Sequence, residues 1–180
     1  MLKKGERGDD MDKLAVLRQY FGFPAFRAGQ QTLIDAVLSG RDALGVMPTG
    51  GGKSLCYELP ALLLPGMTLV VSPLISLMKD QVMALRNAGI PAGCINSSMS
   101  LDELRETYRD ACYGAYKLLY VAPERLLTDG FCSLAQELEI PLVAVDEAHC
   151  ISQWGQDFRP SYLKIVEFLQ RLPRRPAVAA

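Results

Sequence analysis

Four short apolar runs, at 43–47, 67–71, 117–122 and 142–145, punctuate this chain, and longer segments with apolar residues at helical spacing separate them. A strand covered on both faces reads as a near-continuous apolar run. Two such strands in parallel need a long crossover between them, usually a helix. The alternation therefore specifies an α/β fold of three layers, a mainly parallel sheet between two layers of helices. The helical segments can be placed along the chain. Leu14, Leu17 and Phe21 share a face, and Gly22 closes that helix. A second helix is expected from about Arg27, with Leu33, Ile34, Val37 and Leu38 inward and Gly40 after it. Others are expected from Lys53, over Leu77–Arg86, from a Ser100/Glu103 capping box to near Gly114, and over Tyr162–Leu172. Residues 177–180 read as the opening of one more strand.

The 180 residues are enough for one domain, expected over 12–180 behind a charged, flexible leader at 1–11, with Met11 an alternative start. The stretch Leu59–Met78 carries no charge and is long enough to span a bilayer. Pro60, Pro65-Gly66 and Pro73 divide it, so it reads as a helix end, a turn and a buried strand. The leader lacks the apolar core of a signal peptide. Five widely spaced cysteines without a C-x-x-C pair read as reduced thiols, neither a disulfide framework nor a zinc site. Together these point to a cytoplasmic protein with no membrane association. The net charge of −1 gives no global attraction to nucleic acid, so any such contact must come from local basic groups.

Chemistry concentrates in three places. The first is Met47-Pro48-Thr49-Gly50-Gly51-Gly52-Lys53-Ser54, between a strand and a helix. Adjacent glycines let backbone N–H groups converge on an anion, and the helix N-terminus adds a favourable dipole. Lys53 is placed to reach the β- and γ-phosphates of a nucleotide, and the Ser54 hydroxyl to ligate Mg²⁺. The strict pattern G-x-x-x-x-G-K-[ST] would have glycine where Met47 stands. The alternative is a glycine-rich turn that binds nothing.

The second is Asp146-Glu147-Ala148-His149 at the C-terminal end of an apolar strand, where open α/β sheets bind ligands. One carboxylate there can hold Mg²⁺ and the other can activate water, so Asp146 is assigned to the metal and Glu147 to the base. An exposed acidic loop is the alternative. His149, the sole histidine, is placed to link the nucleotide to the loop that follows. In that third segment, Cys150–Pro160, Gln153, Trp154, Phe158 and Arg159 interleave aromatic, amide and cationic groups, which suits stacking on unpaired bases and contact with phosphate. Trp154 and Phe158 are equally compatible with a plug in the core.

These residues together resemble the RecQ family of DNA helicases, over nearly the whole chain from about Tyr20. Phe21–Gln30 is similar to the family's motif 0, and the resemblance implies that Phe23 stacks on adenine while Arg27 and Gln30 hydrogen-bond nearby. Met47–Ser54 resembles motif I, in which the first glycine of the stricter loop is often absent. Val70–Gln81 and Tyr120–Leu126 resemble motifs Ia and Ib, DNA-backbone contacts, and Asp146–His149 resembles motif II. Cys150–Pro160 is similar to the aromatic-rich loop that couples single-strand binding to hydrolysis, and it is the most specific of these signals. The resemblance implies a RecA-like P-loop NTPase lobe that uses ATP and Mg²⁺ on single-stranded and partly duplex DNA, moves 3′→5′ and serves DNA repair and recombination. It also implies a further motif, a second RecA-like lobe with arginine fingers and a zinc-binding region, none of which lies in these residues. A monomer that alone binds ATP weakly, hydrolyses it poorly and unwinds nothing is the resulting expectation. The rival readings are a P-loop kinase of small metabolites, which would not need the Trp154 segment, and a non-catalytic nucleotide- or partner-binding fragment.

Overall fold

The computed structural model describes residues 6–48, 50–152 and 158–180, with side chains from Lys13 onward. Among the described residues the helices are α1 (Glu6–Phe21), α2 (Gln30–Leu38), α3 (Leu55–Leu63), α4 (Ile75–Asn87), α5 (Leu101–Cys112), α6 (Asp129–Glu137) and α7 (Lys164–Arg171). The strands are β1 (Thr68–Val71), β2 (Ala92–Ile95), β3 (Leu118–Val121), β4 (Leu142–Val145) and β5 (Ala177–Ala179). They form one sheet in the order β2-β3-β1-β4-β5, and every pairing is parallel.

Alternation along each strand builds the three layers. Val70, Leu118, Tyr120, Leu142 and Ala144 face α2, α3 and α4, meeting Val37, Tyr57, Ala61, Met78, Val82 and Leu85. Leu69, Val71, Leu119, Val121, Val143 and Val145 face α5, α6 and α7, meeting Ala111, Phe131, Leu134, Ile165 and Phe168. Because both faces are covered, β1, β3 and β4 are buried at every position. Helix α1 lies outside α2 and α3, with Leu17 against Ile34, Leu55 and Leu59.

Several elements differ from the sequence reading. The segment 43–47 is not a regular strand: only Ala43 makes a bridge, to Ala179. The Gly45 N–H still reaches the Ala180 carbonyl, but β5 has three residues, and Leu44 and Val46 are 72% and 93% exposed. Strand β2 was not legible because Ala92-Gly93-Cys94-Ile95 has one β-branched residue, and Gly93 is occupied by the Tyr116 ring, which a Cβ there would meet at 3.0 Å. Helix α6 was hidden by Gly130 and Ser133, weak helix formers that burial of Phe131 and Leu134 overrides. Helix α3 runs through Pro60, at the cost of one N–H donor, and ends at Leu63. Helix α2 starts at Gln30, since the preceding Gly29 is left-handed. The stretch 59–78 becomes the end of α3, a turn, β1 and the start of α4, and no helix among the described residues is long and apolar enough to cross a membrane.

The Phe131 and Phe168 rings pack with centroids 5.6 Å apart, joining α6 to α7 beneath the sheet. Both are fully buried. Phe131→Ala should therefore cost about 3–5 kcal/mol, measured by chemical denaturation, because the cavity it leaves is walled by strands that cannot close over it.

Candidate nucleotide site and the loops around it

The phosphate loop joins the segment beside β5 to the first turn of α3, and its glycines are there for two reasons. Gly52 is left-handed at φ 79°, and a Cβ on it would lie 2.5 Å from the Gln30 amide nitrogen. Gly51 has no room because a Cβ would meet the Pro48 carbonyl oxygen at 2.8 Å, the same oxygen that accepts the Gly51 N–H. Met47 stands where the strict pattern has glycine, and its side chain lines a cavity of about 380 Å³ that runs from Lys53 and Asp146 towards the exposed edge at 43–46. Ser54 starts α3, its carbonyl accepting from the amides of Tyr57 and Glu58. Thr49 lies outside the described residues.

Motif 0 is wired to this loop. Gln30 is buried, accepts the Arg27 N–H at 2.8 Å, and donates to the carbonyls of Gly52 at 3.1 Å and Gly51 at 3.4 Å. Arg27 donates to the Gly50 carbonyl. The Gln30 amide thus holds the glycine loop through two of its carbonyls. Phe23 is half exposed on the turn after α1.

The acidic pair stands opposite Lys53. The Asp146 N–H donates to the Val71 carbonyl at 2.9 Å, carrying the β1–β4 ladder one residue past the strands. Its Oδ1 accepts the Glu147 N–H at 3.0 Å. Its Oδ2 is buried with no hydrogen-bond partner, as are Ser72 Oγ and Gln81 Oε1. Burial, followed by the Glu147 charge, pushes the Asp146 carboxyl above its usual range, while the Glu147 N–H, the Gln81 side chain and the Lys53 charge work the other way. A buried carboxylate oxygen without a hydrogen-bond partner is costly, and a cation beside it would remove that cost, so Asp146 suits a hard divalent cation such as Mg²⁺. Glu147 sits 3.6 Å from Lys53 Nζ through Oε1, and its Oε2 is 3.0 Å from His149 Nδ1. The base candidate thus bridges the lysine and the histidine.

The segments after β1, β3 and β4 leave the same edge of the sheet, which groups motifs Ia, Ib and II. Arg159 donates from Nη1 to the Pro73 carbonyl at 2.8 Å, tying the last segment to motif Ia. Phe158 is half-buried. Gln153 and Trp154 lie outside the described residues. Sequence reasoning missed Tyr162, whose buried hydroxyl donates to the Asp146 carbonyl at 2.8 Å, and read Ser72 and Gln81 only as part of motif Ia, although both bury a side-chain oxygen. No sequence pattern marks a buried hydroxyl whose partner is a distant backbone group.

Residues 27–180 match the DEAD/DEAH box helicase family. The chain belongs to that family. Its RecQ-like motifs are matched by overall similarity: it is 52% identical over 92% of its length to the ATP-dependent DNA helicase RecQ of Bacillus subtilis, and 49% identical over 92% to the RecQ helicase of Haemophilus influenzae. It spans about 28% and 27% of those relatives' lengths. The fold is that of solved helicase structures. The DUF1998 helicase MrfA superposes with a TM-score of 0.72 over 94% of this chain and 28% of its own, at 19% identity. A hypothetical ATP-dependent RNA helicase from Sulfolobus tokodaii gives 0.68 over 94% of this chain and 49% of its own, at 22% identity.

One buried acid near Asp146 carries a pH dependence that no sequence pattern marks. Glu58 of α3 accepts the Tyr120 hydroxyl at 3.3 Å, and burial pushes its carboxyl up to about 7, with the Asp146 charge adding to the rise. A raised carboxyl binds its proton more tightly in the folded form. That contribution is complete below the ordinary carboxylate range and is lost as pH rises through 7. Glu58→Gln should therefore melt higher than the wild type at about pH 8, with the gap closing near pH 5 in the same thermal scans.

Proposed function

We propose that this chain is the nucleotide-binding lobe of a RecQ-type ATP-dependent DNA helicase. One observation carries the reading: the fold brings Lys53 of the glycine loop within 3.6 Å of Glu147, beside Asp146 with its unpartnered Oδ2. That is the juxtaposition phosphoryl transfer needs, a cation for the phosphates and carboxylates for metal and water.

The working cycle follows from these contacts. The γ-phosphate takes Lys53 from Glu147, and Glu147 then turns to orient the attacking water. Ser54 and Asp146 would hold Mg²⁺, which spreads the charge developing on the phosphates. Arg27 and Gln30 release the loop carbonyls as the adenine edge replaces them, while Phe23 covers the ring. Motifs Ia and Ib and the segment holding Gln153, Trp154, Phe158 and Arg159 meet single-stranded or partly duplex DNA, and His149 stands between that segment and the base. A second RecA-like lobe contributes arginine fingers, so this chain alone binds ATP but turns it over slowly and unwinds nothing. Translocation is 3′→5′, driven by differing DNA affinity in the open and closed lobe positions. The setting is DNA repair and recombination in the cytoplasm, as a monomer.

Titration with fluorescent ATP and GTP analogues in the presence of Mg²⁺ tests the nucleotide half. The ATP analogue should bind preferentially, Lys53→Ala should weaken it about tenfold or more, and Gln30→Ala should narrow the preference over GTP. A folded Lys53→Ala chain that binds as the wild type does would contradict the assignment.

A further inference from the structure

Glu147 is the one residue other than glycine with a positive φ among the described residues, at φ 50° and ψ 45°. A left-handed glutamate carries a steric cost, so the surroundings must hold it there. The constraint lies in the peptide that joins it to Asp146, because rotating that peptide is how φ at Glu147 would relax. Both ends of the peptide are held: its N–H donates to Asp146 Oδ1 at 3.0 Å, and its carbonyl accepts the Tyr162 hydroxyl at 2.8 Å. The Tyr162 side chain is 1% exposed, packed in the core under α7. Its phenol therefore has no water to turn to, and the bond is rigid.

Tyr162 is also the return point of the segment that starts at Glu147. The Arg159 N–H donates to the Cys150 carbonyl at 2.9 Å, and the Tyr162 N–H donates to the Arg159 carbonyl at 2.9 Å. Arg159 is tied in turn to Pro73. A displacement at Arg159 thus passes through one turn of chain to the phenol that fixes the Asp146–Glu147 peptide. The geometry points to Tyr162 as the positioning residue that sets the Glu147 carboxylate and makes its position depend on the segment ending at Arg159. The assignment rests on the reading of Glu147 as the base of a nucleotide site.

The test uses the lone tryptophan, Trp154, as a reporter within that segment. In the wild-type chain, binding of an ATP analogue with Mg²⁺ should change Trp154 emission. Tyr162→Phe keeps the ring, and circular dichroism checks its fold. It should bind the analogue within about twofold of the wild type, yet show half or less of the emission change. A merely structural tyrosine would lower stability without separating affinity from response. A second measurement keeps the hydroxyl: meta-fluorotyrosine at 162 should show a fluorine resonance that moves on nucleotide binding. Unaltered response in Tyr162→Phe, or an unmoved fluorine resonance in a chain that binds nucleotide, overturns the inference alone. A wild-type chain that binds no nucleotide overturns the nucleotide-site reading and this inference with it.

Discussion

The hydrogen bond from the Asp146 amide to the Val71 carbonyl continues the central β1–β4 ladder beyond its strands, and the position of the acidic pair depends on it. Strand β4 pairs on one side with β1 and on the other with β5, and it is buried at every position, so its end cannot shift without disturbing the middle of the sheet. The crevice lies at the carboxyl end of the strands, beside β1, which separates β3 and β2 on one side from β4 and β5 on the other. Lys53, Asp146, Glu147 and His149 meet at that end.

The site is held by backbone contacts more than by pairs of side chains. Gln30 and Arg27 grip loop carbonyls, Arg159 grips the Pro73 carbonyl, and Tyr162 grips that of Asp146. Such contacts fix the path of the chain while leaving the reactive groups with few partners. Asp146 Oδ2 has none, and Glu147 is shared between Lys53 and His149 over partly exposed distances of 3.6 and 3.0 Å. Ion pairs of that exposure are weak, on the order of 1 kcal/mol or less, so an arriving phosphate can displace them. The backbone contacts fix the path of the chain while the charged groups stay exchangeable, which suits the nucleotide site proposed above.

Much of this was legible in the sequence because it rests on local rules. The buried strands declare themselves as apolar runs, Ser100 and Glu103 form the capping box their spacing implies, and the close approach at Gly51 and Gly52 explains the glycine run. What was not legible depends on contacts between distant segments. Strand β2 is named by its neighbour β3 rather than by its own residues, and Ala43 alone pairs where a full strand was expected because β5 offers so few partners. Gln30 looks like an ordinary helix residue until the loop folds against it, and Tyr162 looks like the start of a helix until its hydroxyl is followed to Asp146.

In the function proposed above, this domain holds the nucleotide and one half of the hydrolytic machinery, with the other half on a second lobe. The most direct measurement is ATP hydrolysis by the wild-type chain mixed with the separately produced remainder of the Bacillus subtilis RecQ relative, beyond the matched 28%, with and without single-stranded DNA. The account predicts little turnover by either part alone and a rise in the mixture that requires both DNA and Glu147. Hydrolysis by this chain alone at the rate of the mixture, or a mixture indifferent to Glu147→Gln, would contradict it.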